Sequence, residues 1–143
     1  MAGSISSASR PAGGGSRIRL IGIGYVSFDH EAAWLRNIVD FADDAMGYVG
    51  SMTVHDFLRY RKTLDAVERC IERLAEAAVR IGEPRFGELT GGVPLAPVRG
   101  MGNALRHGYD RIDAATIFAT VRDDLPYLRD RCAAALERHY PDA

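Results

Sequence analysis

Arg99, Asn103, Arg106, His107 and Tyr109 fall within the single stretch Arg99-Gly-Met-Gly-Asn-Ala-Leu-Arg-His-Gly-Tyr109. Histidine is the side chain whose ordinary charge change lies nearest neutral pH, so it can take or give a proton there. A guanidinium offers a planar fork of donors that fits a phosphate. A carboxamide beside them can both donate and accept. Wound as a helix at about 100° per residue, Arg99, Asn103, Arg106, His107 and Asp110 share an arc roughly 100° wide. Val98, Met101, Leu105 and Gly108 fall on the other side. One reading of this arc is a kit for phosphate chemistry. The other is a basic face that is simply wet, and the residue types alone fit both.

The elements around this stretch read as helices. A first one is expected to open on Asp29, with Trp34, Ile38, Phe41, Ala45 and Val49 as its apolar stripe and Gly47 and Gly50 at its end. Thr53 reads as the N-cap of one long second helix, with Asp56 three residues on. Leu64, Val67, Ile71, Leu74, Ala78 and Ile81 alternate three- and four-residue steps, the clearest helical period in the chain. The pairs Asp65/Arg69 and Glu76/Arg80 are expected on its outer face. Glu72 and Glu76 are read as outer-face acids rather than site residues. Gly82 and Pro84 stop the helix.

Residues 83–97 read as a Gly/Pro connector pinned by Phe86 and Leu89. Pro97 then suits the first turn of a third helix ending near Gly108. Asp113 is expected to cap a fourth helix, with Ile117, Phe118 and Val121 inward. Asp124 recaps a last one that turns Leu125, Leu128, Cys132 and Leu136 to the core. No strand pattern is convincing after residue 28. The fold class expected is all-α, an up-and-down bundle of four to five helices over 29–140.

The totals exclude several functions. At 143 residues, 47% hydrophobic and 26% charged, the chain suits one globular domain. A net charge of -1 gives no global field toward polyanions, so any nucleic acid has to meet a local patch. Cys70 and Cys132 sit at apolar positions and read as buried thiols, not as a disulfide framework. His30, His55, His107 and His139 show no metal-ligand spacing, so no metal is expected. No apolar run is long enough to span a membrane. Residues 1–28 read as a Gly/Ser/Ala-rich disordered tail and a short apolar arm, without the features of a signal peptide, and Gly22 and Gly24 carry no phosphate role. A cytoplasmic location is the expectation.

From about Asp29 to Tyr140 the chain resembles HepT-like toxins of the HEPN superfamily, the helical half of HepT/MNT toxin–antitoxin modules. The resemblance rests on three stretches in order: Asp65-Ala-Val-Glu-Arg-Cys-Ile-Glu-Arg-Leu-Ala-Glu-Ala-Ala78, the run from Val93 to Asp113, and Thr120-Val-Arg-Asp-Asp-Leu-Pro-Tyr-Leu128. The family's motif is Arg, four residues, His, one residue, Tyr, with Asn directly after the Arg. Asn103, His107 and Tyr109 match it, but Gly102 stands where the family has Arg. Arg99 and Arg106 lie one turn to either side, so either can carry the guanidinium. Glycine inside a helix costs about 1 kcal/mol against alanine, so Gly102 is expected to have a packing reason, such as close approach of another helix.

The resemblance implies a metal-independent endoribonuclease working at a homodimer interface. In it His107 is the general acid or base, Arg99 or Arg106 stabilises the phosphorane, and Asn103 orients the imidazole or the phosphate. It also implies that Tyr109 receives AMP from an MNT-type nucleotidyltransferase antitoxin, which silences the toxin. The chain itself then needs no cofactor, since ATP is used by the partner. The alternative is a degenerate HEPN protein that binds RNA or a nucleotidyltransferase without cleaving. A third possibility is a bundle that only mediates assembly.

Overall fold

The computed structural model describes residues 28–108 and 112–143, and every regular element among them is helical. Four long helices carry the fold: α1 (Phe28–Val49), α3 (Arg61–Ile81), α5 (Leu95–His107) and α7 (Leu125–His139). Between them lie α2 (Val54–Arg59), α4 (Arg85–Thr90) and α6 (Ala114–Ala119), and a π-helical turn (Thr120–Asp124) runs α6 into α7. The all-α bundle read from the sequence is therefore the architecture, and Ala32–Ala143 forms one compact unit. Apart from Phe28, the tail and arm expected over residues 1–28 lie outside the described residues. No helix among those residues is long and apolar enough to cross a membrane.

Each long helix buries one stripe. Leu35, Ile38, Ala42, Ala45 and Val49 of α1 meet Val67, Ile71, Leu74 and Ala78 of α3 and Leu128, Cys132 and Ala135 of α7 in one core. A fully buried Leu, Ile or Phe there contributes about 1.5–3 kcal/mol. Neighbouring helices run antiparallel. The Arg129 Nε donates to Asp43 Oδ1 at 2.9 Å, while Arg122 Nη2, earlier in the chain, reaches Met52 O at 2.6 Å, so α1 and α7 run in opposite senses. The Leu95 N–H points to Glu83 Oε2 at 3.4 Å and Gly102 packs on Ala75, so α5 runs back along α3. Arg131 Nε and Arg138 Nη2 donate to the last carbonyls of α4, Thr90 O at 2.6 Å and Leu89 O at 3.1 Å. That places cations at the negative end of a helix and ties the connector to α7.

Several expectations need correction. The helix expected from Thr53 to Ile81 breaks at Tyr60, whose φ of -111° and ψ of 88° leave the helical region. The two pieces bury their faces on different partners. Phe57 of α2 packs at a tilt against Phe118 with centroids 5.5 Å apart, while α3 packs on α5. Thr53 and Asp56 form the capping box as expected, at 3.1 and 3.2 Å. The connector is not all loop, because Phe86 and Leu89 bury from the short α4. Asp124 does not recap: it is helical and makes no side-chain cap. Instead the Leu125 N–H bonds back five residues to Thr120 O, and the looser turn accommodates Pro126, which has no N–H to give. Asp65 pairs with Arg61 at 3.1 Å rather than with Arg69, whereas Glu76 and Arg80 pair as expected at 3.4 Å.

Candidate active site

The helix that carries the motif, α5, starts after the extended Pro94 and takes Pro97 in its first turn, where a missing N–H costs nothing. It stops at Gly108, whose φ of 68° is the left-handed conformation that ends a helix. Leu95 and Gly102 are buried, and Val98, Met101 and Leu105 are half-buried against the core. Arg99, Asn103, Arg106 and His107 are all exposed. The arc drawn from the sequence thus survives for these four residues. The helix closes at His107. Tyr109, Asp110 and Arg111 lie outside the described residues.

Within the arc one contact is made. Arg106 Nη1 donates to Asn103 Oδ1 at 3.1 Å, one helical turn apart. The carboxamide thereby holds the guanidinium back along the helix, one turn from the residue that precedes His107 in sequence. Asn103 is also four residues before His107, on the same side of the helix. Arg99 is eight residues before His107, about 12 Å along the axis. The two arginines are therefore not equivalent: only Arg106 adjoins His107 in the sequence and is held by Asn103.

Gly102 faces the other way. A β-carbon built on it would lie 2.6 Å from Ala75 Cβ on α3, closer than two carbons can pack. The packing reason expected for this glycine is thus a helix crossing. Ala75 itself was not singled out from the sequence, although the small residues Ala75, Ala77 and Ala78 mark where a neighbour can come close. Glu72 and Glu76 point their charge at Arg69 and Arg80, each at 3.4 Å, on the outer face of α3. Among the described residues no group of three acidic, His or Cys side chains is placed to hold a metal ion. A cavity of about 640 Å³ opens on the apolar side of α5, lined by Ile71, Leu74, Val98, Met101, Leu125 and Tyr127. It does not include the polar arc.

Comparison with known proteins finds relatives over about two thirds of the chain. The chain is 27% identical over 97 residues to each of two Methanocaldococcus jannaschii proteins provisionally named as RNases; the match covers 68% of this chain and 79% and 83% of theirs. It is 28% identical over 98 residues to a Thermococcus cleftensis protein provisionally named ribonuclease HepT, covering 68% of this chain and 88% of that one. No solved structure matches the chain. The family model described as ribonuclease HepT-like matches residues 38–135, which run from the middle of α1 to the last turns of α7 and include the whole of α5, and the chain belongs to that family.

Proposed function

We propose that this chain is the toxin of a type VII-like toxin–antitoxin system, a metal-independent endoribonuclease silenced by AMP transfer to Tyr109 from a cognate MNT-type nucleotidyltransferase. The observation that carries the reading is the exposed set on α5: His107 at the helix end, with Arg106 beside it and held by Asn103. The RNase names of the relatives support it. In this mechanism a base takes the proton of an RNA 2′-OH, and O2′ attacks the adjacent phosphorus. The P–O5′ bond then breaks and the leaving oxygen takes a proton, giving a 2′,3′-cyclic phosphate and a 5′-OH. The two His107 side chains of a homodimer supply the base and the acid. Arg106 places positive charge where the phosphorane gains negative charge. Arg99, about 12 Å along the axis, holds a flanking phosphate. For silencing, the Tyr109 oxygen attacks the α-phosphate of ATP and pyrophosphate leaves. The added phosphate charge and bulk then exclude RNA.

A second reading is favoured by one observation: the motif's usual Arg position is Gly102, buried against Ala75. In that reading the chain binds RNA or a nucleotidyltransferase and does not cut. Cleavage of RNA in excess EDTA separates the two, using wild-type protein confirmed by mass to carry no AMP. Cutting of RNA but not of matching DNA, lost in His107→Ala, supports the nuclease. A wild type that leaves every RNA intact supports the second reading.

A further inference from the structure

The cavity of about 640 Å³ between α3, α5 and the start of α7 is not used by the chemistry of the polar arc. Its size lies within the range of small-ligand sites, roughly 300–1,000 Å³. Its floor belongs to the core, since Ile71, Leu74, Leu125 and Leu128 are buried. Val98 and Met101 of α5 flank it and stay half-buried. One rim is nearly free of side chains. Gly92 has a φ of 108°, which glycine alone adopts at ease, and a β-carbon there would meet nothing within 4 Å. Pro94 and Pro97 stiffen the same rim. The mouth is therefore open and its edge is firm.

The opposite rim is the π-turn with the first turn of α7. Thr120, Asp123, Asp124 and Tyr127 recur at helical spacing and line the cavity as one row. Thr120 Oγ1 donates to Thr116 O at 3.0 Å. Asp123 and Asp124 are exposed, and neither carboxylate has a hydrogen bond or an ion pair among the described residues. Arg122, their neighbour in sequence, reaches away to Met52 O at 2.6 Å. Arg131 lies 5.8 Å from the centre of the Tyr127 ring but gives its Nε to Thr90 O at 2.6 Å. The ionised side chains that line the cavity are thus two carboxylates and no cation, on walls that are otherwise mostly apolar. A π-turn in the wall of a cavity fits a binding role, since such turns recur at functional sites.

We infer that this cavity is a binding site for a small apolar cation, an ammonium group carried on an alkyl or aryl body. The body takes the place of water against Ile71, Leu74, Val98 and Met101. The ammonium stays at the rim between Asp123 and Asp124. The apolar walls alone would accept a neutral or an anionic body equally well, and the two carboxylates select the cation. The same carboxylates repel phosphate, so RNA is not the ligand here. The polar arc lies on the other side of α5, and the inference does not rest on the ribonuclease reading.

The test uses the full chain and three matched probes, phenylbutylamine, phenylbutanol and phenylbutyrate, followed by amide shifts in NMR titrations. The amine is expected to bind about fivefold or more tightly than the alcohol, the scale of two exposed ion pairs, and the carboxylate most weakly. The shifted amides should fall within residues 91–101 and 120–128. Asp123→Asn with Asp124→Asn should bring the amine down to the affinity of the alcohol and leave the alcohol unchanged. Met101→Trp should fill the cavity and weaken amine and alcohol alike. Asp142→Asn, an exposed acid beyond the far end of α7, should change neither. Unaltered thermal midpoints confirm that the variants fold, and the surface pair carries the test by itself should Met101→Trp not fold. An amine that gives no saturable shift at millimolar concentration overturns the site. So does an alcohol or a carboxylate that binds as tightly as the amine, or an amine that binds the Asn pair as it binds the wild type. Each outcome holds whether or not the chain cuts RNA.

Discussion

Ala75 Cβ lies 2.6 Å from the point that a β-carbon on residue 102 would occupy. The α3–α5 crossing is therefore built on the absence of a side chain at Gly102. An arginine there would have to emerge into α3, so this chain cannot carry its guanidinium at the usual motif position without reopening the crossing. In an ordinary exposed helix Gly→Ala gains about 1 kcal/mol. Here Gly102→Ala is expected to lose about 1–2 kcal/mol, because overpacking of a close contact outweighs the propensity gain. In an Ala75→Gly background the same change should be neutral or stabilising. A double-mutant cycle by urea unfolding measures the coupling, and additive effects would show that the two sites do not touch.

In the proposed mechanism the two arginines have different roles. Arg106 directly precedes His107 in the chain and is held by Asn103 at 3.1 Å, while Arg99 is about two turns away. Arg106→Ala is expected to lower kcat for RNA cleavage about 100-fold or more, the scale of losing one preorganised charge donor. Arg106→Lys should recover part of it, and Asn103→Ala should lower kcat with little change in KM. Arg99→Ala should instead raise KM. A kcat loss carried by Arg99 alone would reverse the assignment.

The bundle was legible because burial imposes its period on the sequence. Leu64, Val67, Ile71, Leu74 and Ile81 declare α3 without help from tertiary structure, and Thr53, Asp56 and Asp113 declare their caps through backbone hydrogen bonds. The break at Tyr60 was not legible, since no Gly or Pro marks it and its cause is the separate burial of Phe57 against Phe118. The π-turn was hidden for the same reason: Asp124 and Pro126 imitate a helix start. On α5 the polar arc could be drawn from spacing alone. The inequality of Arg99 and Arg106 appears only once the Asn103 contact is seen, and the role of Gly102 only once Ala75 is placed against it.

Arg122 joins three elements from the π-turn. It donates to Met52 O at 2.6 Å and to Gly50 O at 3.5 Å, and its guanidinium lies 5.0 Å from the centre of the Phe118 ring. Arg122→Ala is expected to cost about 1–2 kcal/mol through the carbonyl bonds and the ring contact together. Arg129→Ala breaks a surface ion pair with Asp43 and should cost less, about 0.5 kcal/mol. Urea midpoints of the two variants give the order, and the reverse order would mean that the α1–α2 turn is held by something else.

Asp113 caps α6 by accepting from the Thr116 N–H at 2.8 Å, and that bond holds its carboxyl below the ordinary value of 3.8. A carboxylate with a lowered folded-state pKa stabilises the protein above its unfolded value, and that contribution is lost as pH falls through the folded one. The thermal midpoint of wild type should exceed that of Asp113→Ala at neutral pH, and the gap should narrow as pH drops through the carboxylate range. Asp113→Asn caps without titrating, so its advantage over Asp113→Ala should hold at both ends. A gap that does not change with pH would remove the carboxylate from the cap.

The two thiols report on the core from inside. Cys132 is fully buried on α7, and burial pushes its thiol up to about 12. Burial, and then the charge of Asp44, also raises Cys70. At pH 8 a thiol near 12 is ionised in about one molecule in ten thousand, whereas an ordinary cysteine near 8.5 is about a quarter ionised. In folded protein Cys132 should therefore react with a disulfide reagent at least about 100-fold more slowly than in urea, where both cysteines should be titrated at once. Mass spectrometry of partly labelled protein identifies which thiol reacts first, and Cys70, the less buried of the two, is expected to lead. Rapid labelling of Cys132 in the folded chain would mean that α7 separates from α1 and α3 on the time scale of the reaction, and that the core drawn around it is open.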